Sequence, residues 1–276
     1  MGPRRSGARL SAGPAIGGVL SKYISLSAPF YFAGILALLN ALFILLRLPE
    51  THGPEHRLQP HERARIRDVF SHGRGALIST IFAAYFAAIT GFSMMTTLFA
   101  LFNEKRFGYD AAHTGYLLAY VGMLGVLIQG GLLRRLLKKP IEKQLALIGA
   151  GTLAVALCAL PLCASLGSLL VVCAFIALGN GLVTPTLNGL ASRSVDRRVQ
   201  GRTLGLLQSA GSLGRFIGPI LATWLLKFDL KSGVVTAYAR TPLWISAAIL
   251  LVTVFLVASL SPSKSPALEP EAVPEI

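Results

Sequence analysis

The 276 residues predict an all-α polytopic membrane protein with about eight transmembrane helices, on three observations. First, 53% of the residues are hydrophobic and only 14% are charged. That leaves too little polar surface to keep a soluble domain of this length dispersed. Second, the mean hydropathy is +0.63, and apolar runs recur near the roughly 20 residues that cross ~30 Å of hydrocarbon. Third, Lys and Arg gather between alternate runs, as they do in cytoplasmic loops.

The runs fall at 10–23, 28–46, 76–102, 115–133, 144–164, 166–190, 204–226 and 242–260. The first is short and carries Gly13-Pro14 and Gly17-Gly18. These residues weaken a helix unless a neighbour packs closely on them, and they make a poor core for a secretory signal. The second is uninterrupted up to Arg47. Residues 49–75 then form the longest loop, whose "PHERARIRDVF" predicts a short amphipathic helix on the inner membrane surface. The third run carries Thr90, Ser93 and Thr97 on one helical face. The fourth ends in the basic loop of Arg134 and Arg135, and the fifth and sixth divide at Ser165. The sixth bears Asn180, Thr184 and Asn188 at helical spacing, the seventh Gln208, Ser212 and Arg215. The tail, 261–276, is Pro-rich and polar, which predicts disorder.

The charge pattern sets an orientation. Nineteen of the 26 Lys and Arg lie in the leader, 47–74, 134–143, 193–202 and the tail. Six lie in the alternate loops, and Arg215 is inside a run. Both termini are therefore predicted to be cytoplasmic, in a cell membrane. Tyr23, Tyr109, Tyr116, Trp224, Tyr238 and Trp244 flank the opposite loops, as an interfacial aromatic belt would.

Several classes are disfavoured. The net charge of +14 is dispersed among loops rather than gathered in a stripe, so no nucleic-acid partner is expected. Cys158, Cys163 and Cys173 all sit in apolar runs, as buried hydrophobes rather than a disulfide framework. His52, His56, His61 and His72 share the long loop without tight ligand spacing, so neither a metal nor another cofactor is expected. No nucleophile elbow or paired intramembrane carboxylates point to an enzyme.

Polar groups inside a membrane span mark a cavity or an interhelical contact. Arg215, mid-run, costs about 2.5–3.5 kcal/mol to insert. It is either a cavity cation that meets an anionic group or a partner acid, or a structural arginine bonded to helix-break carbonyls. The Thr90/Ser93/Thr97 and Asn180/Thr184/Asn188 stripes are either path lining or interhelical glue. No Asp or Glu lies in mid-run, so no proton-coupling acid is visible.

Gly218-Pro219-Ile-Leu-Ala-Thr-Trp-Leu repeats the pattern of Gly13-Pro14-Ala-Ile-Gly17-Gly18-Val-Leu, in the seventh run and the first, a displacement of six spans. Parallel repeats of six-span halves are a transporter architecture. Here the chain resembles the major facilitator superfamily, and within it the tetracycline-resistance-type drug/proton antiporters. Gly13-Pro14-Ala-Ile-Gly17-Gly18 is similar to that group's antiporter motif on the fifth of twelve helices, a helix-packing motif in which Gly214, Gly218 and Pro219 would be the second copy. "PFYFAGILALLNALFILLRLPET" resembles the sixth helix and "LFALFNEKRFGYDAAHTGYLLAYVGMLGVLIQGGLLRRL" the seventh and eighth. "TPTLNGLASRSVDRRVQGRTLGLLQSAGSLGRFIGP" resembles the tenth-to-eleventh junction. Arg134 and Arg135 stand where the family has a gating loop, without the acidic residue that usually precedes its basic pair; membrane anchoring explains them nearly as well.

The resemblance implies that 1–48 holds the last two helices of an N-terminal half. It makes 49–75 the cytoplasmic central loop, 76–260 a C-terminal six-helix half and 261–276 the tail. It implies that the first four helices are lacking. The expected function is secondary transport of a small organic solute or drug, by proton-coupled efflux with alternating access. Arg215, Gln208, Ser212, Asn180, Thr184, Asn188, Thr90, Ser93 and Thr97 would be the path. The alternative is a non-transporting remnant, or an accessory half paired with a missing N-terminal half. A small-molecule substrate and the lipid bilayer are the expected partners.

Overall fold

A computed structural model describes residues 17, 20, 23–25, 27–47, 75–136, 141–195, 197–231 and 238–260. Most of the first predicted span, the long loop with its four histidines, and the tail lie outside the described residues. The regular elements among the described residues are all helical.

Helix α1 (Ala28–Arg47) is apolar but for Asn40 and its terminal Arg47, and none of its residues is buried. Helix α2 (Gly75–Phe107) has 33 residues, about 50 Å at 1.5 Å per residue. Gly108, at φ 68°, ends it, in a conformation that favours glycine. Asp110 then caps α3 (Ala111–Leu127) by accepting from the His113 backbone N–H at 2.8 Å. Helix α3 loosens into a π turn over Ile128–Leu133 and closes in a short turn, Arg134–Leu136. Helix α4 (Glu142–Ala159) is finished by a 3₁₀ turn, Leu160–Leu162, containing Pro161. Ser165 and Ser168 form a reciprocal capping box that starts α5 (Leu166–Arg193). This satisfies two orphan donors and is the physical reason the chain breaks at Ser165. Helix α6 (Arg197–Lys231) has 35 residues, and α7 (Arg240–Ser259) follows.

Helix α2 lies centrally, packed against α6 and α7, while α4 packs on α5 and α7 and α3 leans on α5. Tyr85, Met94, Leu98 and Phe102 of α2, Leu153 and Leu157 of α4, and Leu169 and Ile176 of α5 fill the core. In lipid, small residues govern such crossings, because they let backbones approach. A Cβ on Gly179 of α5 would fall 2.7 Å from Leu153 Cβ of α4, and one on Gly149 of α4 would fall 2.8 Å from Leu182 Cβ. Gly91 of α2 stands against Ser246 of α7, whose hydroxyl donates to the Gly91 carbonyl at 2.5 Å.

Apart from Arg215, midway along α6, the charged residues described lie towards the ends of the bundle. At one end Arg193 Nη1 meets Glu142 Oε1 at 2.5 Å. Lys143 Nζ at the same end donates to the carbonyls of Ala258, at 2.8 Å, and Leu260. At the other end Arg106 Nε donates to the Cys163 carbonyl at 3.2 Å. There too the Thr241 hydroxyl and N–H donate to Asp229, at 2.5 and 3.0 Å, and Arg240 stacks 4.6 Å over Trp244.

Among the described residues, six helices are long and apolar enough to cross a membrane, against the eight spans expected. Of the other two, 10–23 is largely outside the described residues. The seventh span is present as α6, but its Gly, Ser, Gln and Arg residues keep it out of that set. Helices also outrun their apolar runs. Helix α2 continues through Glu104, Lys105 and Arg106, and α6 begins at Arg197 rather than 204.

Candidate functional site

Helix α6 has two faces. Thr203, Leu207, Gly211, Gly214, Gly218 and Ala222 recur every three or four residues, and all are buried. This face lies on α2 with almost no clearance. A Cβ would fall 2.7 Å from the Tyr85 ring at Gly211, 3.0 Å from Thr90 Oγ1 at Gly214, and 2.7 Å from Ser93 Cβ at Gly218. Gln208, Ser212 and Arg215 occupy the open face and are exposed.

Pro219 falls inside α6. Having no N–H, it deprives the Arg215 carbonyl of its usual donor four residues on. The Ser93 hydroxyl of α2 is directed at that carbonyl at 3.5 Å, the kind of hydroxyl contact that resatisfies a proline-freed carbonyl in a membrane helix.

The polar stripes of α5 and α6 meet. Tyr85 Oη donates to Gln208 Oε1 at 3.5 Å, and Gln208 Nε2 donates to Asn188 Oδ1 at 3.3 Å. Asn188 Nδ2 donates to the Thr184 carbonyl at 2.7 Å, and Thr184 Oγ1 to Asn180 Oδ1 at 3.5 Å. On α6, Ser212 Oγ donates to the Gln208 carbonyl at 3.0 Å while accepting from Arg215 Nη2 at 3.2 Å. A loose polar chain thus joins α2, α5 and α6. Tyr85, 2% exposed, was not among the residues predicted from sequence. Its signal was available: a tyrosine well inside its run, where most others flank loops.

The stripe of α2 is placed differently. Thr90 and Ser93 are buried in the α2–α6 contact, and Thr97 is half-buried. Thr90 Oγ1 and Thr97 Oγ1 donate to backbone carbonyls of their own helix, Phe86 and Ser93, both at 2.8 Å. Of the helix-packing motif, Gly214, Gly218 and Pro219 lie at or beside this contact. Gly17 would meet nothing within 4 Å, and Gly13, Pro14 and Gly18 are outside the described residues. Arg135 is exposed; the Arg134 side chain is outside the description.

Among the described residues the carboxylates Glu104, Asp110, Glu142 and Asp229 all sit at helix ends. No carboxylate pairs with Arg215 there, and no group of three or more His, Cys, Asp and Glu could hold a metal. A cleft of about 440 Å³ opens beside the α2–α3 turn, lined by residues including Glu104, Tyr109, Asp110 and Thr114. None of the path residues lines it.

The model of the Major Facilitator Superfamily matches residues 7–219 and 142–274. Among curated relatives, the class C tetracycline resistance protein of Escherichia coli is 30% identical over 218 residues, covering 79% of this chain and 54% of that protein. The class D tetracycline resistance protein of Salmonella ordonez is 31% identical over 227 residues, covering 82% and 57%. Multidrug resistance protein 2 of Bacillus subtilis (strain 168) is 29% identical over 225 residues, covering 79% and 54%. The chain spans about half the length of these relatives. The crystal structure of the human organic anion transporter MFSD10 superposes with a TM-score of 0.69 at 21% identity, covering 93% of this chain and 65% of that one. At that identity the likeness shows the fold alone.

Proposed function

Because the chain belongs to the Major Facilitator Superfamily, we propose that it carries out secondary transport of a small organic solute or drug across the cell membrane. The observation that carries this reading is the polar chain through Tyr85, Gln208, Asn188 and Thr184, with Arg215 open beside it halfway along α6. Intramembrane polar and charged groups gathered across three helices are what a substrate path requires. Residues 76–260 act as the C-terminal half, and it rocks against the opposite half to expose the path alternately to each side. The cation-rich end, with Arg135, Lys143 and Arg193, faces the cytoplasm, together with both termini and the 49–75 loop. The resistance proteins among the relatives favour outward movement, and the resemblance to drug/proton antiporters favours protons as its driving ion. The proton-carrying group then comes from outside the described middle of the bundle, which holds no carboxylate.

Everted membrane vesicles containing the chain test the reading. Under a proton gradient they should accumulate at least one compound of a panel of fluorescent or labelled drugs, tetracycline included, above control vesicles. A protonophore should abolish the accumulation. Accumulation no greater than control across the panel would contradict it.

A second reading is an accessory half that works only beside a separate N-terminal half. Helix α1, with no buried residue, favours it. Flux that appears only when the first four helices of a relative are co-produced would establish that reading.

A further inference from the structure

We propose that the substrate of this path is an amphipathic organic anion, held by Arg215 through a carboxylate or sulfonate group. The inference rests on the transport reading and adds the charge class of the substrate. Arg215 lies beside the midpoint of the 35-residue α6, about 25 Å from either helix end at 1.5 Å per residue. Of its five donors, the described contacts use one, to Ser212 Oγ at 3.2 Å. The remaining fork has the planar geometry that meets a carboxylate or sulfonate two bonds at a time. Among the described residues, the middle of the bundle offers that cation and no carboxylate. Among those residues a cationic substrate meets no neutralising carboxylate and is repelled by the arginine. The amide of Gln208 gives a neutral hydrogen-bonding wall on one side. Phe216, the next residue along α6, is also exposed and offers apolar surface at the edge of this face.

Two dyes with the same xanthene body and opposite charge separate the possibilities: carboxyfluorescein, an anion, and rhodamine 123, a cation. Binding is read by fluorescence anisotropy with the full chain in nanodiscs of uncharged lipid, and flux is read in vesicles. Carboxyfluorescein should bind at least tenfold more tightly than rhodamine 123. Arg215→Gln should remove that preference, and Arg215→Lys, which keeps the charge but loses the fork, should restore part of it. Thermal unfolding of each variant reports whether it is folded, and the wild-type preference alone decides if a variant is not. A wild-type preference for rhodamine 123, or carboxyfluorescein binding unchanged in a folded Arg215→Gln, overturns the anion assignment. If the chain moves cations, the transport reading stands and this inference falls. If it neither binds nor moves any compound, both fall.

Discussion

At the scale of single residues, the most informative contact is between Ser93 and the carbonyl of Arg215. It exists because Pro219 has no N–H to give. Ser93→Ala should lower stability by about 0.5–1.5 kcal/mol, the usual worth of one hydrogen bond. In a Pro219→Ala background, where the helix supplies its own donor, the same change should cost almost nothing. Thermal unfolding of the four proteins of this double-mutant cycle in detergent measures the coupling. Equal losses in both backgrounds would mean that Ser93 does not compensate for the proline. Sequence reading had marked Ser93, Arg215, Gly218 and Pro219 one by one. It could not join them, because the hydroxyl and the carbonyl it serves are 122 residues apart. Tyr85 was missed for a related reason: its partner Gln208 is 123 residues away.

At the scale of helices, the apolar runs were legible because hydrocarbon demands them, and so was the break at Ser165, whose Ser-x-x-Ser cap is local. The true helix ends were less so. Hydropathy marks the lipid-facing part of a helix, whereas a helix ends where the backbone is capped or broken. Thus α2 runs on through Glu104–Arg106 until Gly108. The π turn over Ile128–Leu133 left no sequence signal. Glycine stripes showed that close contacts exist, but not which helix each would meet. Gly179→Ala would drive a methyl into Leu153, with the backbone of α4 2.7 Å away. The expected loss is about 1–3 kcal/mol, as for other overpacked cores. Gly189→Ala in the same helix, where a Cβ meets nothing within 4 Å, should leave the unfolding midpoint unchanged or slightly higher. Similar midpoints for the two would show that α4 and α5 are not in tight contact.

At the scale of the whole molecule, orientation and path are the claims to test. Single cysteines at Arg135 and Asp110, in a cysteine-free background, sit at opposite ends of the bundle. A membrane-impermeant maleimide should label the Asp110 site on intact cells and the Arg135 site only after permeabilisation. The reverse pattern would invert the topology. The class of protein was readable because composition and the order of motifs extend over most of the chain. The path was only partly readable, since six of its nine expected residues belong to α5 and α6, whose stripes converge only after folding. The most direct test of the path itself is the initial rate of substrate accumulation in everted vesicles bearing Arg215→Gln, at matched protein abundance. If the polar chain and its arginine line the route, the rate should fall at least tenfold, while insertion and unfolding temperature stay near wild type. A rate equal to wild type would make Arg215 a structural residue and move the route elsewhere.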